Sequence, residues 1–143
     1  MLGAPRLAIS TVCLSGTLED KLSAAAAAGF AGVELLEYDL VMSPWSPRRL
    51  ADETSGLGLS VEVYQPFHVE TVRPDDFRAV LRHAERKFDL LSELGASVLV
   101  CCSSRSAAGL DDDDLAAEQL HVLAARAEQR GLRLAYEAVP WGR

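Results

Sequence analysis

Apolar positions in this chain fall into short β-prone runs separated by longer stretches with helical spacing. Four segments share one design: Ala24–Leu36, Gly56–Tyr64, Glu93–Val100 and Gln129–Glu137. In each, a helical run ends at a glycine and a short apolar run follows. The closing glycines are Gly29, Gly58, Gly95 and Gly131, spaced 29, 37 and 36 residues apart. A residue without a Cβ suits the left-handed conformation that closes a helix. The spacing is that of one strand plus one crossover helix. Helix starts are marked as well. Thr17-Leu18-Glu19-Asp20 resembles a capping box with Asp in place of Glu, and Ser46-Pro47 sets a cap before a first-turn proline. Pro74-Asp75-Asp76 and Asp111–Asp114 place carboxylates where a helix dipole favours them.

The pattern predicts strand 6–13, helix 18–28, strand 32–36, helix 47–57, strand 59–65, helix 75–94, strand 97–102, helix 112–130 and strand 132–138. Five strands alternating with four helices mean parallel strands joined by right-handed crossovers. Both an open doubly wound sheet and a (β/α)8 barrel are built this way. A dinucleotide-binding sheet would carry GxGxxG after its first strand, whereas Cys13-Leu14-Ser15-Gly16-Thr17 has a single glycine. A polar residue instead recurs at the C-terminal strand ends, at Glu37, Gln65, Ser103 and Glu137. Barrel active sites are built there, which favours the barrel. A barrel takes about 250 residues, so 143 residues at this spacing read as part of one: residues 1–143 are the N-terminal portion of a single barrel domain.

Composition narrows the partners. Fourteen basic residues against twenty-one acidic ones give a net charge of −7. Phosphate neutralisation needs clustered Lys and Arg, so neither nucleic acid nor an anionic membrane surface is expected. No apolar run reaches the ~18–20 residues of a membrane span, and residues 1–16 lack the layout of a signal peptide. Cys13, Cys101 and Cys102 are odd in number and show no CxxC spacing. Neither a disulfide framework nor a zinc site follows, and the reading is a reducing cytoplasm.

Several residues have chemistry to offer, each beside a plainer role. Glu137 ends an apolar strand, so it is solvated at a rim, paired, or a ligand for a divalent cation. Strand alternation puts Glu34 and Leu36 on one face and Leu35 and Glu37 on the other, so one carboxylate points into a barrel mouth unless a structural ion pair claims it. Asp39 follows them, and Glu62, in mid-strand, reads as structural. In Gln65-Pro66-Phe67-His68 the proline stops the strand; Gln65 and His68 either bind a polar ligand or cap a strand end with His68 in solvent. Cys101 and Cys102 read as small buried hydrophobes, and Ser103 as a ligand contact. Asp111–Asp114 lacks the ligand spacing and central glycine of a calcium loop and reads as a solvated helix start. His83 and His121 fall within helices, at the core edge or surface.

Taken together, Ala8–Leu22, Gly29–Glu37, Gln65-Pro66-Phe67, Glu85–Leu90 and Tyr136-Glu137-Ala138-Val139-Pro140-Trp141-Gly142 resemble the N-terminal part of bacterial 3-dehydroshikimate dehydratases. These belong to the xylose-isomerase-like sugar phosphate isomerase/epimerase barrels. The likeness runs from about residue 7 to residue 143. It implies a metal-dependent barrel that removes water from 3-dehydroshikimate to give protocatechuate, in the degradation of quinate and shikimate. The ion would be Mg2+, Mn2+ or Co2+, and its first ligand maps onto Glu137. The remaining ligands and a proton-transferring His are implied beyond Arg143, so this portion alone is expected to be inactive and to hold the metal weakly or not at all. The implied substrate is a polyhydroxy carboxylate or sugar-like molecule, with Gln65, His68, Ser103, Glu37 and Glu34 as its contacts. Where the family usually carries Arg after Gln-Pro-Phe, this chain has His68. That departure keeps open another isomerase or epimerase of the same superfamily. A third reading is a non-catalytic module that self-associates through the unpaired edges of its first and fifth strands.

Overall fold

In the computed structural model, residues 6–104, 106 and 108–139 are described. Five parallel strands follow one another in the sheet in chain order: β1 (Ala8–Ser10), β2 (Gly32–Leu36), β3 (Ser60–Val69), β4 (Val98–Ser103) and β5 (Arg133–Glu137). A doubly wound sheet reverses its strand order at a switch point, and this one does not. Chain-order neighbours are what a barrel requires. The helices are α1 (Leu18–Ala27), α2 (Glu37–Met42), α3 (Pro47–Gly56), α4 (Phe77–Leu94) and α5 (Asp113–Glu128). The repeat glycines Gly29, Gly58, Gly95 and Gly131 have φ of 82°, 75°, 71° and 70°, the left-handed closure that their spacing predicts.

The chain divides into two compact units. The first comprises residues 1–65 and 92–96. β1, β2 and β3 pair in register there, Ala8 with Gly32, Ser10 with Glu34, and Leu36 with Gln65. A bulge at Val33/Glu34 shifts the β2–β3 register. The core collects Leu22 and Ala25 of α1, Val33 and Leu35 of β2, Leu50 of α3, and Val61 and Tyr64 of β3. Thr17 and Asp20 form the capping box, with Asp20 N–H donating to Thr17 Oγ1 at 3.2 Å and Thr17 N–H to Asp20 Oδ2 at 3.0 Å. Ser46 caps α3, its Oγ accepting from Arg49 N–H at 3.3 Å.

The second unit comprises residues 66–91 and 97–143. β4 and β5 pair in register from Val98 with Arg133 to Cys102 with Glu137. Phe67, Phe88, Leu91, Leu99, Cys101, Leu123 and Ala127 form its core. Asp112 caps α5 through Leu115 N–H at 2.9 Å, so the aspartate run is the start of a helix. Arg130 near the end of α5 pairs with Glu85 and Asp89 of α4.

Three expectations are corrected. Strand 6–13 shortens to Ala8–Ser10 because residues 11–13 form a 3-10 turn. Thr11 is fully buried there and its Oγ1 accepts from Leu36 N–H at 3.0 Å, a side-chain bond that substitutes for the ladder. Strand 59–65 does not stop at Pro66 but runs to Val69. The register with β2 ends at Gln65, so β2 makes no call on the N–H that Pro66 lacks, and proline's φ is compatible with an extended chain. The four expected helices are five. At six residues α2 is too short to show a hydrophobic period. Glu37 thus begins a helix, and the alternation that set it opposite Glu34 ends at Leu36.

Candidate functional site

In the first unit, two separate contacts form near the β2–β3 pairing, Glu34 with Gln65 and Glu37 with Tyr64. Gln65 Nε2 donates to Glu34 Oε1. Both side chains are half-buried, and the bond fixes which way the amide points. With the nitrogen turned to the carboxylate, the Gln65 carbonyl oxygen is left to accept from a hydroxyl donor. Glu37 does different work. Its Oε1 accepts from Tyr64 Oη at 3.1 Å. Tyr64 is fully buried, and burial, then the Glu37 charge, then this bond hold its phenol protonated far above the ordinary tyrosine range. Asp39 is no ligand candidate either: both its oxygens take hydrogen bonds from Lys21 Nζ, at 2.8 and 2.9 Å, in a buried ion pair between α1 and α2. Glu62 pairs with Arg6 at 2.9 Å and accepts from Ser60 Oγ at 2.5 Å, the structural role expected for it.

In the second unit the C-terminal ends of β4 and β5 carry the polar groups. Glu137 is exposed at the end of β5, and its Oε2 accepts from Cys102 Sγ at 3.5 Å. Ser103 is buried, with its Oγ accepting from Val139 N–H at 3.2 Å. Ser104 donates to Glu70 Oε1 at 3.1 Å and accepts from Ser106 N–H at 3.1 Å. The segment after β3 is clamped by Gln119 of α5, which bonds both the N–H and the C=O of Val72, at 3.1 and 2.6 Å. Leu110 N–H adds a bond to Thr71 C=O at 2.8 Å. His68 is exposed on β3, as in the solvent-facing reading, beside Phe67, which makes an edge contact with the exposed His83. His121 is exposed on α5. Cys101 is fully buried; burial and the neighbouring Cys102 push its thiol up to about 12, which removes it as a nucleophile at neutral pH.

Gln65 is thus brought to Glu34, and Glu37 to Tyr64, whereas Ser103 and Glu137 meet other partners in the second unit. Sequence reasoning passed over Glu70, Ser104 and Gln119, and read Cys102 only as a hydrophobe. A cross-strand contact depends on register, which single-strand alternation does not reveal. Pro140, Trp141 and Gly142, the end of the Tyr-Glu-Ala motif, lie outside the described residues.

Comparison with known proteins assigns the family. The xylose isomerase-like TIM barrel family matches residues 22–143. The chain belongs to this family. Within it, the 3-dehydroshikimate dehydratase of Pseudomonas putida is 46% identical over 136 residues, which are 94% of this chain and 21% of that protein. This chain therefore spans about a fifth of that relative's length. A solved structure described as a xylose isomerase-like TIM barrel/4-hydroxyphenylpyruvate dioxygenase fusion protein superposes with a TM-score of 0.92 at 44% identity, over 97% of this chain and 23% of that one. The IolI protein, solved with a zinc atom bound, superposes with a TM-score of 0.79 at 15% identity, over 94% of this chain and 52% of that one, and bears on the fold alone.

Among the described residues of this xylose isomerase-like chain, no group of three or more His, Cys, Asp or Glu is placed to hold a metal ion. The donor that suits a divalent cation is Glu137: a hard, exposed carboxylate at a strand end, with Oε1 unbonded among the described residues. That fits one ligand of a larger set. No helix among the described residues is long and apolar enough to cross a membrane.

Proposed function

We propose that this chain forms part of the catalytic barrel of a metal-dependent 3-dehydroshikimate dehydratase, which eliminates water from 3-dehydroshikimate to give protocatechuate. The observation that carries the reading is the 46% identity, over nearly the whole chain, to the Pseudomonas putida enzyme of that name. Glu137 would hold the divalent cation through its open oxygen. When bound, the ion supplies Lewis acidity, polarising a ketone so that the neighbouring C–H loses its proton more readily. In the first unit, Gln65 offers its carbonyl oxygen to a substrate hydroxyl while Glu34 fixes the amide. In the second, Ser103 keeps its own proton to donate, because Val139 N–H occupies only its acceptor side. His68, exposed on β3, is the remaining polar side chain proposed to contact the substrate. Cys13, Cys101 and Cys102, none of them in a disulfide, suit a reducing, cytoplasmic setting.

The test joins residues 1–143 to the part of the Pseudomonas putida relative that follows its matched segment. The chimera is expected to release protocatechuate from 3-dehydroshikimate with added Mg2+, Mn2+ or Co2+, and to lose that activity with Glu137→Gln. A folded chimera that ignores 3-dehydroshikimate but interconverts ketoses would install the second reading, another isomerase or epimerase, which His68 in place of the family's arginine favours. The exposed residues of β5 favour self-association of the isolated chain, and sedimentation as a monomer would remove that reading.

A further inference from the structure

Cys102 and Glu137 are register partners at the last rung of the β4–β5 ladder, so their side chains leave neighbouring strands on the same face. Cys102 is buried, at 5% exposure, whereas Glu137 is exposed. The thiol therefore approaches the carboxylate from the protein side, with Sγ 3.5 Å from Oε2. A thiol is a weak donor and an ionised carboxylate only accepts, so the proton lies on sulfur and points at Oε2. The other oxygen, Oε1, has no partner among the described residues. The adjacent Cys101 is fully buried in the core and plays no part in the contact.

We propose that Cys102 is a positioning residue for Glu137: its S–H holds one carboxylate oxygen so that the other is presented to a divalent cation. The inference rests on the reading of Glu137 as a cation ligand. An outer hydrogen bond of this kind fixes ligand orientation before the ion arrives, so less freedom is lost on binding, and removing such partners commonly weakens metal affinity on the order of tenfold or more. Serine retains a hydroxyl donor at the same place, whereas alanine does not.

Two measurements test this, the infrared one on the 143-residue chain and the Mn2+ one on the chimera with the Pseudomonas putida relative. The first is the infrared S–H stretch of Cys102, isolated as the difference between wild type and Cys102→Ser. In a Glu137→Ala background the band is expected to move to higher frequency and lose intensity; an unmoved band overturns the hydrogen bond and the proposal with it. The second is Mn2+-induced broadening of backbone amide signals at residues 101–103 and 136–138. Wild type and Cys102→Ser are expected to respond within about twofold of one another, and Cys102→Ala to need on the order of tenfold more Mn2+, with all three melting together. Broadening that is equal in all three overturns the role of Cys102 while leaving Glu137 as a ligand. No broadening at Glu137 in wild type overturns the cation reading and, through it, the positioning role.

Discussion

The Lys21–Asp39 pair is the place to perturb this fold. Both side chains are about one-tenth exposed, at 9% and 10%, and Lys21 reaches both carboxylate oxygens at 2.8 and 2.9 Å. Solvent does little to screen such a pair. Removing one partner strands the other as an uncompensated charge, a loss of about 3–5 kcal/mol. Lys21→Met and Asp39→Leu should each cost about that much. The double variant should cost much less than their sum, because no charge is left behind. With a urea slope of about 2 kcal/mol per molar, the single variants should lower the unfolding midpoint by roughly 1.5–2.5 M. Equilibrium urea denaturation followed by far-UV circular dichroism reads the shifts. Single variants costing under about 1 kcal/mol, with costs that simply add in the double, would refute the reasoning; the pair would then behave as an exposed surface bridge. The consequence is local as well as global. Asp39 sits in α2, which directly follows the end of β2, and in the first unit this pair ties that short helix to α1.

Three further outcomes follow from single contacts. A Cβ at Gly32 would lie 2.7 Å from Glu62 Cγ and 2.9 Å from the backbone oxygen of Ser60; Glu62 can swing aside but the backbone cannot, so Gly32→Ala should cost about 1–3 kcal/mol by urea denaturation. Tyr64 is held protonated above its ordinary value of 10.0, so the unfolded chain loses this proton first; its contribution to stability is fully present below about pH 10 and falls as pH rises from there towards the folded-state value. Urea midpoints measured from pH 9 upward should decline less steeply in Tyr64→Phe than in wild type, and parallel slopes would contradict the assignment. Cys101, buried with its thiol raised to about 12, should resist iodoacetamide in the native chain at pH 8 while the exposed Cys13 reacts, which peptide mass spectrometry resolves.

What the amino-acid pattern conveys here is period and punctuation. Gly29, Gly58, Gly95 and Gly131 mark each helix-to-strand closure, and all four adopt the positive φ that the spacing implies. The caps at Thr17, Ser46 and Asp112 are readable because a side chain meets its own helix three residues on. What the pattern hides is anything fixed by a distant partner. Helix α2 owes its place to Lys21, eighteen positions from Asp39. The turn at Thr11 depends on the N–H of Leu36. Pro66 reads locally as a stop, yet the strand continues because its partner on one side has already ended.

The same distinction divides the candidate residues. Of the polar residues expected at the C-terminal strand ends, Ser103 and Glu137 are found there, whereas Gln65 lies within the longer β3 and Glu37 begins α2. Which of them remain available to a ligand is a question of register. Register pairs Cys102 with Glu137 directly and, by setting Gln65 beside Leu36, brings it diagonally to Glu34, leaving one oxygen open on Gln65 and one on Glu137. Glu37, by contrast, spends its reach on the buried Tyr64, and Asp39 on Lys21. A carboxylate that closes a buried bond stabilises the fold at the cost of its freedom to bind. On that criterion Glu137, exposed and held from one side by the Cys102 thiol, is the carboxylate we propose for the cation.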